Sequence, residues 1–175
     1  MLYSILILNK AGGLIYQNEV NPGLNKLSTN DYLVLAGSLH GIHAIGAQLT
    51  PAIGDKTAAT TVEEFNRNQN NSIMSRFKAL SPNTNRSGLQ NIETSLFNLY
   101  IFQTVTGLKF MLITAPNGVA DATKAELNKQ YDMAHELFRQ LYMLYSDYVM
   151  KDPFYSLDMP IKNPLFDTKV KELVT

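Results

Sequence analysis

Two predicted β-hairpins, each apolar on both of its faces, limit the folds open to this chain more than anything else in it. The first pairs Leu2–Leu8 with Leu14–Val20 across the turn Asn9–Gly13, and the second pairs Ser95–Gln103 with Leu108–Thr114. Successive side chains of a strand point to opposite faces of a sheet. Apolar residues on both faces therefore predict an antiparallel sheet with helices packed on both sides.

A first helix is predicted between the hairpins, from the capping cluster Ser28–Asp31 to the residue before Pro51. We expect one face of this helix to pack on the sheet; that face contains Leu35, Leu39, Ile42, Gly46 and Leu49. Gly37, Gly41 and Gly46 cost helicity. Two interpretations stay open: the protein tolerates these glycines, or a backbone or partner helix approaches closely there.

Residues 51–88 are polar and rich in asparagine, which is typical of loops. So long a loop is unusual within a compact domain, and we therefore predict a flexible insertion after the first helix. The sequons at Asn71 and Asn85 are interpreted as ordinary polar loop residues. A weak strand, Gly88–Glu93, follows the insertion.

A long amphipathic helix is predicted from about Asp121, because apolar residues recur at alternating spacings of four and three. Its stripe consists of Leu127, Tyr131, Ala134, Phe138, Leu141, Tyr145 and Tyr148. The tail that follows, residues 151–175, contains Pro153, Pro160 and Pro164, which keep most of it from being helical. It is nevertheless too apolar for a disordered tail. We expect it to lie on its own domain or on a partner, and to end in a short closing helix.

The predicted order is two strands, a helix, three strands, a helix and a tail. This order indicates a single α+β domain over residues 1–175, with one antiparallel sheet. Of the 175 residues, 45% are hydrophobic, which is enough to build a core.

Charge and composition exclude several classes of function. The chain carries 15 basic and 15 acidic residues, which argues against nucleic-acid binding and against electrostatic attachment to a membrane. It has no cysteine, so disulfides and thiol chemistry are excluded. The apolar start reads as a buried strand rather than a signal sequence, and no segment is long enough to span a bilayer. We expect a soluble, cytoplasmic protein.

Catalytic and cofactor-binding motifs are not recognisable in the sequence. His40 and His43 lie three residues apart, but no third ligand is in view, and a packing role is the better interpretation, as it is for the single His135. Lys10–Gly13 lacks the spacing of a phosphate-binding loop. We therefore predict a protein that is not an enzyme and that needs no cofactor or metal.

Aromatic residues suggest binding instead. They cluster at the end of the long helix and just beyond it: Tyr142, Tyr145, Tyr148, Phe154 and Tyr155. Tyrosine is enriched in interfaces because it buries area at low entropic cost and keeps a polar handle. The residues alone leave two possibilities open: this cluster binds a partner, or it packs on the chain's own sheet.

Three segments resemble the synbindin subunits of TRAPP, the transport protein particle. They are Asn9–Tyr16, Gln103–Phe110 and the long run from Tyr145 to Asp167. The resemblance implies a longin-like, or profilin-like, fold: a five-stranded antiparallel sheet with helices on both faces. Some members carry a PDZ-like insertion between the first hairpin and the first helix. That connection is short here, so no PDZ-borne function is carried over.

The resemblance also implies a function. Such a chain is a non-catalytic core subunit of a complex that tethers vesicles between the endoplasmic reticulum and the Golgi apparatus. The assembled complex is a guanine nucleotide exchange factor for the Rab GTPase of that step. Expected partners are a second small longin-fold subunit, Bet-type subunits and the GTPase. Expected localisation is cytoplasmic, peripheral on endoplasmic reticulum and Golgi membranes.

We assign two hypothetical surfaces on this basis. GTPase docking is expected from Tyr145, Tyr148, Lys151, Asp152, Phe154, Tyr155, Met159 and Ile161. Subunit pairing is expected from Gly37, Gly41 and Gly46 of the first helix. The alternatives are an adaptor-type subunit of a vesicle coat or another trafficking scaffold, and a small ligand-binding protein or enzyme. A longin-domain SNARE would need a heptad region and an anchor downstream.

Overall fold

The computed structural model describes residues 1–23, 27–48, 89–116 and 124–174, without the side chains of residues 48 and 124–128. The predicted insertion at 51–88, with Asn71 and Asn85, lies outside these residues. The strands are β1 (Leu2–Leu8), β2 (Leu14–Glu19), β3 (Asn91–Glu93), β4 (Asn98–Gln103) and β5 (Lys109–Thr114). The helices are α1 (Thr29–Gln48), α2 (Lys124–Tyr145) and α3 (Pro164–Val174), and a π-helical turn, Ser146–Met150, continues α2.

The five strands form one antiparallel sheet in the order β2-β1-β5-β4-β3. Both predicted hairpins are present, and they meet where β1 pairs with β5, for example at Ile5 opposite Leu112. The weak strand predicted at Gly88–Glu93 is shortened to three residues at the edge of the sheet. The two most apolar strands thus occupy the protected interior positions.

Alternating side chains of the sheet build two separate cores. The face toward α2 and α3 buries Ile5, Ile7, Tyr16, Tyr100, Phe110, Leu112, Phe138, Leu141, Tyr145, Val149, Phe166 and Val170, among others. The face toward α1 buries Leu6, Leu8, Tyr32, Ala36, Leu39, Leu99, Ile101, Met111 and Ile113. Helices therefore cover both faces, as predicted, and the arrangement is the expected longin-like α+β fold.

A capping box and one polar contact fix the start of α1. The Ser28 amide donates to Asp31 Oδ2 at 2.9 Å, and the Asp31 amide donates to Ser28 Oγ at 3.3 Å. One turn on, the Tyr32 hydroxyl donates to Glu19 Oε1 of β2 at 2.6 Å. These contacts set which face of α1 meets the sheet.

The buried face of α1 differs from the predicted one. Tyr32, Ala36, Leu39 and His43 are buried, whereas Ile42 is exposed. Leu35 and Gly46 are only partly buried, and Leu49 lies outside the described residues. The prediction is confirmed for Leu39 and for Leu35, which packs against this core, and was wrong for Ile42. Helix α1 is apolar around most of its circumference, so hydrophobic spacing alone does not select the face that packs on the sheet.

The stripe of α2 is confirmed for Ala134, Phe138, Leu141 and Tyr145, which are buried in the core. Tyr131 and Tyr148 are partly buried and pack against the same core, but the fully buried residue after Tyr145 is Val149. The π-helical turn accounts for this difference. Its wider i→i+5 pairing carries one more residue than an α-turn, so the inward position moves along by one.

The predicted closing helix is confirmed as α3, which buries Phe166 and Val170 completely. Its first turn is fastened to β2, because the Tyr16 hydroxyl donates to Asp167 Oδ1 at 2.9 Å. The rings of Tyr16 and Phe166 also meet edge to face, with centroids 4.9 Å apart. None of the helices described is long and apolar enough to cross a membrane.

Candidate protein-docking surfaces

The segment Lys151–Lys162, here called the tail loop, connects the π-helical turn to α3. It is a succession of tight turns rather than an extended strand. Asp152 Oδ1 accepts a hydrogen bond from the Phe154 amide at 2.9 Å, and the Asp152 carbonyl accepts one from the Tyr155 amide at 3.2 Å. A further turn joins the Met159 amide to the Ser156 carbonyl at 3.2 Å. The prolines of the tail loop fit because its backbone forms turns and not a helix.

The tail loop lies against its own domain at its C-terminal end. The Ile161 amide donates to the Ile15 carbonyl of β2 at 2.8 Å, and the Ile161 side chain packs against the core beneath α2. Because β2 is an edge strand, this contact occupies a backbone acceptor that would otherwise be open to pairing with another chain. The tail loop thus provides a hydrogen-bond donor for one carbonyl of the exposed sheet edge.

Adjacent residues of the tail loop face in opposite directions. The Tyr155 ring packs on the α2-side core, and its hydroxyl donates to the Met159 carbonyl at 2.8 Å. Phe154, in contrast, is 93% exposed, Leu157 is 70% exposed and Met159 is 57% exposed. Three large apolar side chains on one short loop form an unusual surface for a chain in solution, and they make the loop a candidate binding surface.

The tyrosines beneath the loop are part of the core. Tyr145 is buried, and burial together with the neighbouring Tyr155 hydroxyl and the Asp158 carboxylate raises its pKa to about 12. Burial, followed by the Asp158 carboxylate, also raises the pKa of Tyr155. Both hydroxyls therefore stay protonated at neutral pH and are available as hydrogen-bond donors that hold the loop.

The eight residues predicted for GTPase docking are thus divided by the structure. Tyr145, Tyr148, Tyr155 and Ile161 support the loop from the core side. Lys151, Phe154 and Met159 are exposed, and Asp152 is half-buried within the turn that it forms. Lys151 forms an exposed ion pair with Asp147, 2.6 Å between Nζ and Oδ1. A groove of about 570 Å³ runs between the π-helical turn and the loop.

A second apolar surface lies on the side of α1 that faces away from the sheet. This α1 outer face contains exposed Leu33, Val34, Ile42 and Ile45. Gly37 and Gly41 lie between them, and a Cβ added at either position would meet no atom within 4 Å. Gly46 is partly buried. At Gly37 and Gly41 no described part of this chain approaches the helix, so a flat, apolar strip is left open.

The two surfaces lie on opposite sides of the molecule. The tail loop contacts the core between the sheet and α2. Helix α1 packs on the other face of the sheet. Because the sheet separates them, partners could occupy both surfaces at the same time without touching.

The two histidines of α1 pack within the domain. His43 is buried, and the His40 ring packs on Gly12, where an added Cβ would lie 2.6 Å from His40 Cγ. Desolvation and the nearby Lys109 ammonium lower the pKa of His40. Across the described ranges, no group of three or more histidines and acids could hold a metal ion.

Sequence reasoning missed several residues that the structure places on these surfaces. Leu33, Val34 and Ile45 were not assigned to the first helix's pairing surface, and Leu157 was absent from the docking set. The signal for α1 was present: Val34 and Ile45 fall outside any single apolar stripe that includes Leu39. An apolar residue outside the core stripe indicates a second buried contact.

Comparisons with known proteins agree with this architecture. The sequence matches the Sybindin-like family over residues 2–175. It is 36% identical over 171 residues to trafficking protein particle complex subunit 4 of Dictyostelium discoideum, covering 98% of this chain and 94% of that protein. It is 32% identical over 156 residues to the subunit of the same name in Bos taurus, covering 89% of this chain but only 51% of the bovine protein.

A more distant similarity extends to a second type of subunit. The chain is 26% identical over 170 residues to trafficking protein particle complex subunit 1 of Dictyostelium discoideum, covering 95% of this chain and 89% of that protein. The match to the family model spans nearly the whole sequence, and the longin-like fold agrees with it. The chain therefore belongs to the Sybindin-like family.

Proposed function

We propose that this chain is a non-catalytic core subunit of a TRAPP complex and contributes to Rab GTPase docking during transport between the endoplasmic reticulum and the Golgi apparatus. The observation that carries the proposal is the pair of exposed apolar surfaces on opposite faces of a sybindin-like domain. One surface serves assembly and the other serves the GTPase. On this proposal the chain is cytoplasmic and reaches membranes only as part of the complex.

The α1 outer face is the surface for pairing with a second small longin-fold subunit. Relatives of this chain carry the names of two different subunits, 4 and 1, of one particle, which supports a partner of the same fold. A glycine-lined strip suits a helix that packs closely, because it lets two backbones approach. Bet-type subunits are then expected to extend the assembly from other surfaces.

Co-purification tests the pairing. Gly41→Trp places a large ring on the strip and is expected to abolish recovery of the longin-fold partner from cells. In the matched comparison, Gly41→Ala adds one methyl group where the free chain leaves open space, and it is expected to weaken pairing much less than Gly41→Trp does. The same comparison applies at Gly37, where an added methyl group also meets open space. Unchanged recovery with both tryptophan variants would exclude this face from pairing.

The tail loop is the surface for the GTPase. An exchange factor has to bind the nucleotide-free GTPase more tightly than the loaded form, and linkage then requires it to weaken nucleotide binding by the same factor. This needs complementary contacts rather than an acid, a base or a metal. An exposed aromatic anchor such as Phe154 is the kind of residue that dominates such contacts. Another subunit would reach the nucleotide pocket.

Nucleotide exchange by a reconstituted complex tests the docking. Phe154→Ala is expected to lower kcat/KM for release of labelled GDP by about 30-fold, the loss typical of an interface hot spot. Exposed Leu165, on the first turn of α3, provides an apolar control outside the tail loop. Leu165→Ala is expected to exchange at the wild-type rate. Equal rates for Phe154→Ala and wild type would contradict docking through this loop.

A further inference from the structure

The ends of the tail loop are held together by one side chain, Asn163. Its Nδ2 donates to the Tyr148 carbonyl in the π-helical turn at 2.8 Å. Its Oδ1 accepts hydrogen bonds from the first amides of α3, Leu165 at 3.0 Å and Phe166 at 3.3 Å. Asn163 therefore caps one helix and satisfies a carbonyl at the end of another. It closes the loop at its base.

Tyr155 plays a similar role within the loop, where it links two of the loop's own turns. Its hydroxyl spans the loop to the Met159 carbonyl, and its ring is anchored on the α2-side core. Between these two residues Asp158 adopts φ 69°, a left-handed conformation that is uncommon outside glycine. A conformation of this kind persists only where the surroundings fix it, and the Tyr155 contact provides that constraint.

We propose that Tyr155 and Asn163 are positioning residues of the tail loop. They do not touch the GTPase; they fix the direction in which Phe154 and Met159 are presented to it. The effect of these residues on GTPase binding rests on the proposed docking function. The ordering of the loop does not, because it depends only on contacts within this chain. An anchor held ready in its bound geometry binds better because less freedom is lost on association.

Hydrogen–deuterium exchange in the assembled complex without GTPase tests the ordering. Tyr155→Phe removes the hydroxyl, which hydrogen-bonds the Met159 carbonyl and the Tyr145 hydroxyl. It is expected to speed exchange of loop amides such as Met159 and Ile161 by at least about fivefold, the value of one hydrogen bond. Asn163→Asp keeps the cap of α3 but loses the donor to Tyr148. It is expected to speed exchange in the loop while α3 stays protected.

Phe154→Ala is the control in this measurement. The Phe154 side chain is almost fully exposed, so its removal is expected to leave loop exchange as in the wild type. Wild-type loop protection in both Tyr155→Phe and Asn163→Asp would overturn the positioning roles, whatever the loop binds.

A double-mutant cycle on nucleotide exchange tests whether Tyr155 acts through Phe154. Tyr155→Phe alone is expected to lower kcat/KM by about fivefold. In a Phe154→Ala background, Tyr155→Phe is expected to lower kcat/KM by less than about twofold, because the aromatic ring that Tyr155 positions is already absent. Full additivity would show that Tyr155 contacts the GTPase itself and would contradict the inference. If Phe154→Ala has no effect, the docking proposal fails, while the amide exchange still decides the ordering.

Discussion

At the scale of single residues, one polar cluster fastens the closing helix to the sheet. The Tyr16 hydroxyl accepts a hydrogen bond from Asn18 Nδ2 at 3.1 Å and donates to Asp167 Oδ1. Asp167 Oδ2 also accepts a hydrogen bond from Lys171 Nζ at 2.7 Å. Tyr16 and Asn18 are buried, so their polar groups depend on this cluster. The cluster indirectly supports the tail loop, which ends where α3 begins.

Tyr16→Phe is expected to lower the free energy of unfolding by about 1.5–3 kcal/mol. It removes a hydrogen bond to a charged group and leaves the Asn18 amide without its acceptor. Urea unfolding measures the loss. Tyr142, which is exposed on α2, provides the control, and Tyr142→Phe is expected to change stability little. Equal midpoints for Tyr16→Phe and wild type would show that the cluster does not fasten α3.

The same cluster predicts a pH dependence. The hydrogen bond from Lys171, followed by the one from Tyr16, lowers the pKa of Asp167. A carboxyl with a lowered folded pKa stabilises the fold above its unfolded pKa of about 4, and this contribution is lost as pH falls through the folded value. Asp167→Asn is therefore expected to be less stable than wild type at pH 7, by less than about 1 kcal/mol for so exposed a pair.

Unfolding curves recorded at pH 7 and near pH 3 check this dependence. The difference in stability between Asp167→Asn and wild type is expected to narrow at the lower pH. A constant difference would mean that the ionised carboxylate does not contribute.

At the scale of elements, α1 has two apolar faces, one packed on the sheet and one exposed. Its inner face is held by the sheet, and its outer face carries two glycines in open space. Glycine inside a helix costs about 1 kcal/mol relative to alanine. A sequence that keeps this cost where the chain itself gains nothing is consistent with a requirement set by a partner.

Gly37→Ala and Gly41→Ala are each expected to stabilise the isolated chain. Alanine raises helix propensity by about 0.5–1 kcal/mol, and no described atom obstructs the new methyl group. Thermal unfolding is expected to shift upward by about 1–4 °C per substitution. Gly107→Ala serves as the contrast, since φ 91° there makes a side chain strained and destabilising. A downward shift at both α1 positions would show that the strip is not open in the free chain.

The elements also show where sequence reasoning succeeds and where it stops. The strands of both hairpins were predictable because they are short apolar runs bounded by turn residues, and the stripe of α2 up to Tyr145 because its apolar residues are periodic. The orientation of α1 was not, since its outer residues are as apolar as its inner ones. The π-helical turn could not be predicted either, because the change in backbone hydrogen bonding after Tyr145 has no recognisable hydrophobic pattern in the sequence.

The candidate site was predictable only as a segment. The aromatic and proline content of 151–161 identified the tail as a surface of interest. Which side chains face outward depends on turns set by Asp152 and on the Ile161 contact to β2. These are long-range or backbone contacts that no local pattern reports. Phe154 and Tyr155 are neighbours of similar chemistry, yet one is exposed and the other is anchored.

At the scale of the whole molecule, the sheet separates the two exposed apolar surfaces. The α2 side supports the tail loop, and the α1 side presents the α1 outer face. On the proposed function, such a subunit is held in a complex by one face while the other stays free for the GTPase. Assembly and exchange should therefore be separable by mutation.

Complexes reconstituted side by side with wild type, Gly41→Trp and Phe154→Ala, and scored for both subunit stoichiometry and GDP release, test this separation most directly. We predict that Gly41→Trp fails to incorporate with its longin-fold partner. We predict that Phe154→Ala assembles completely but releases GDP about 30-fold more slowly. A fully assembled Phe154→Ala complex that exchanges nucleotide at the wild-type rate would contradict the account.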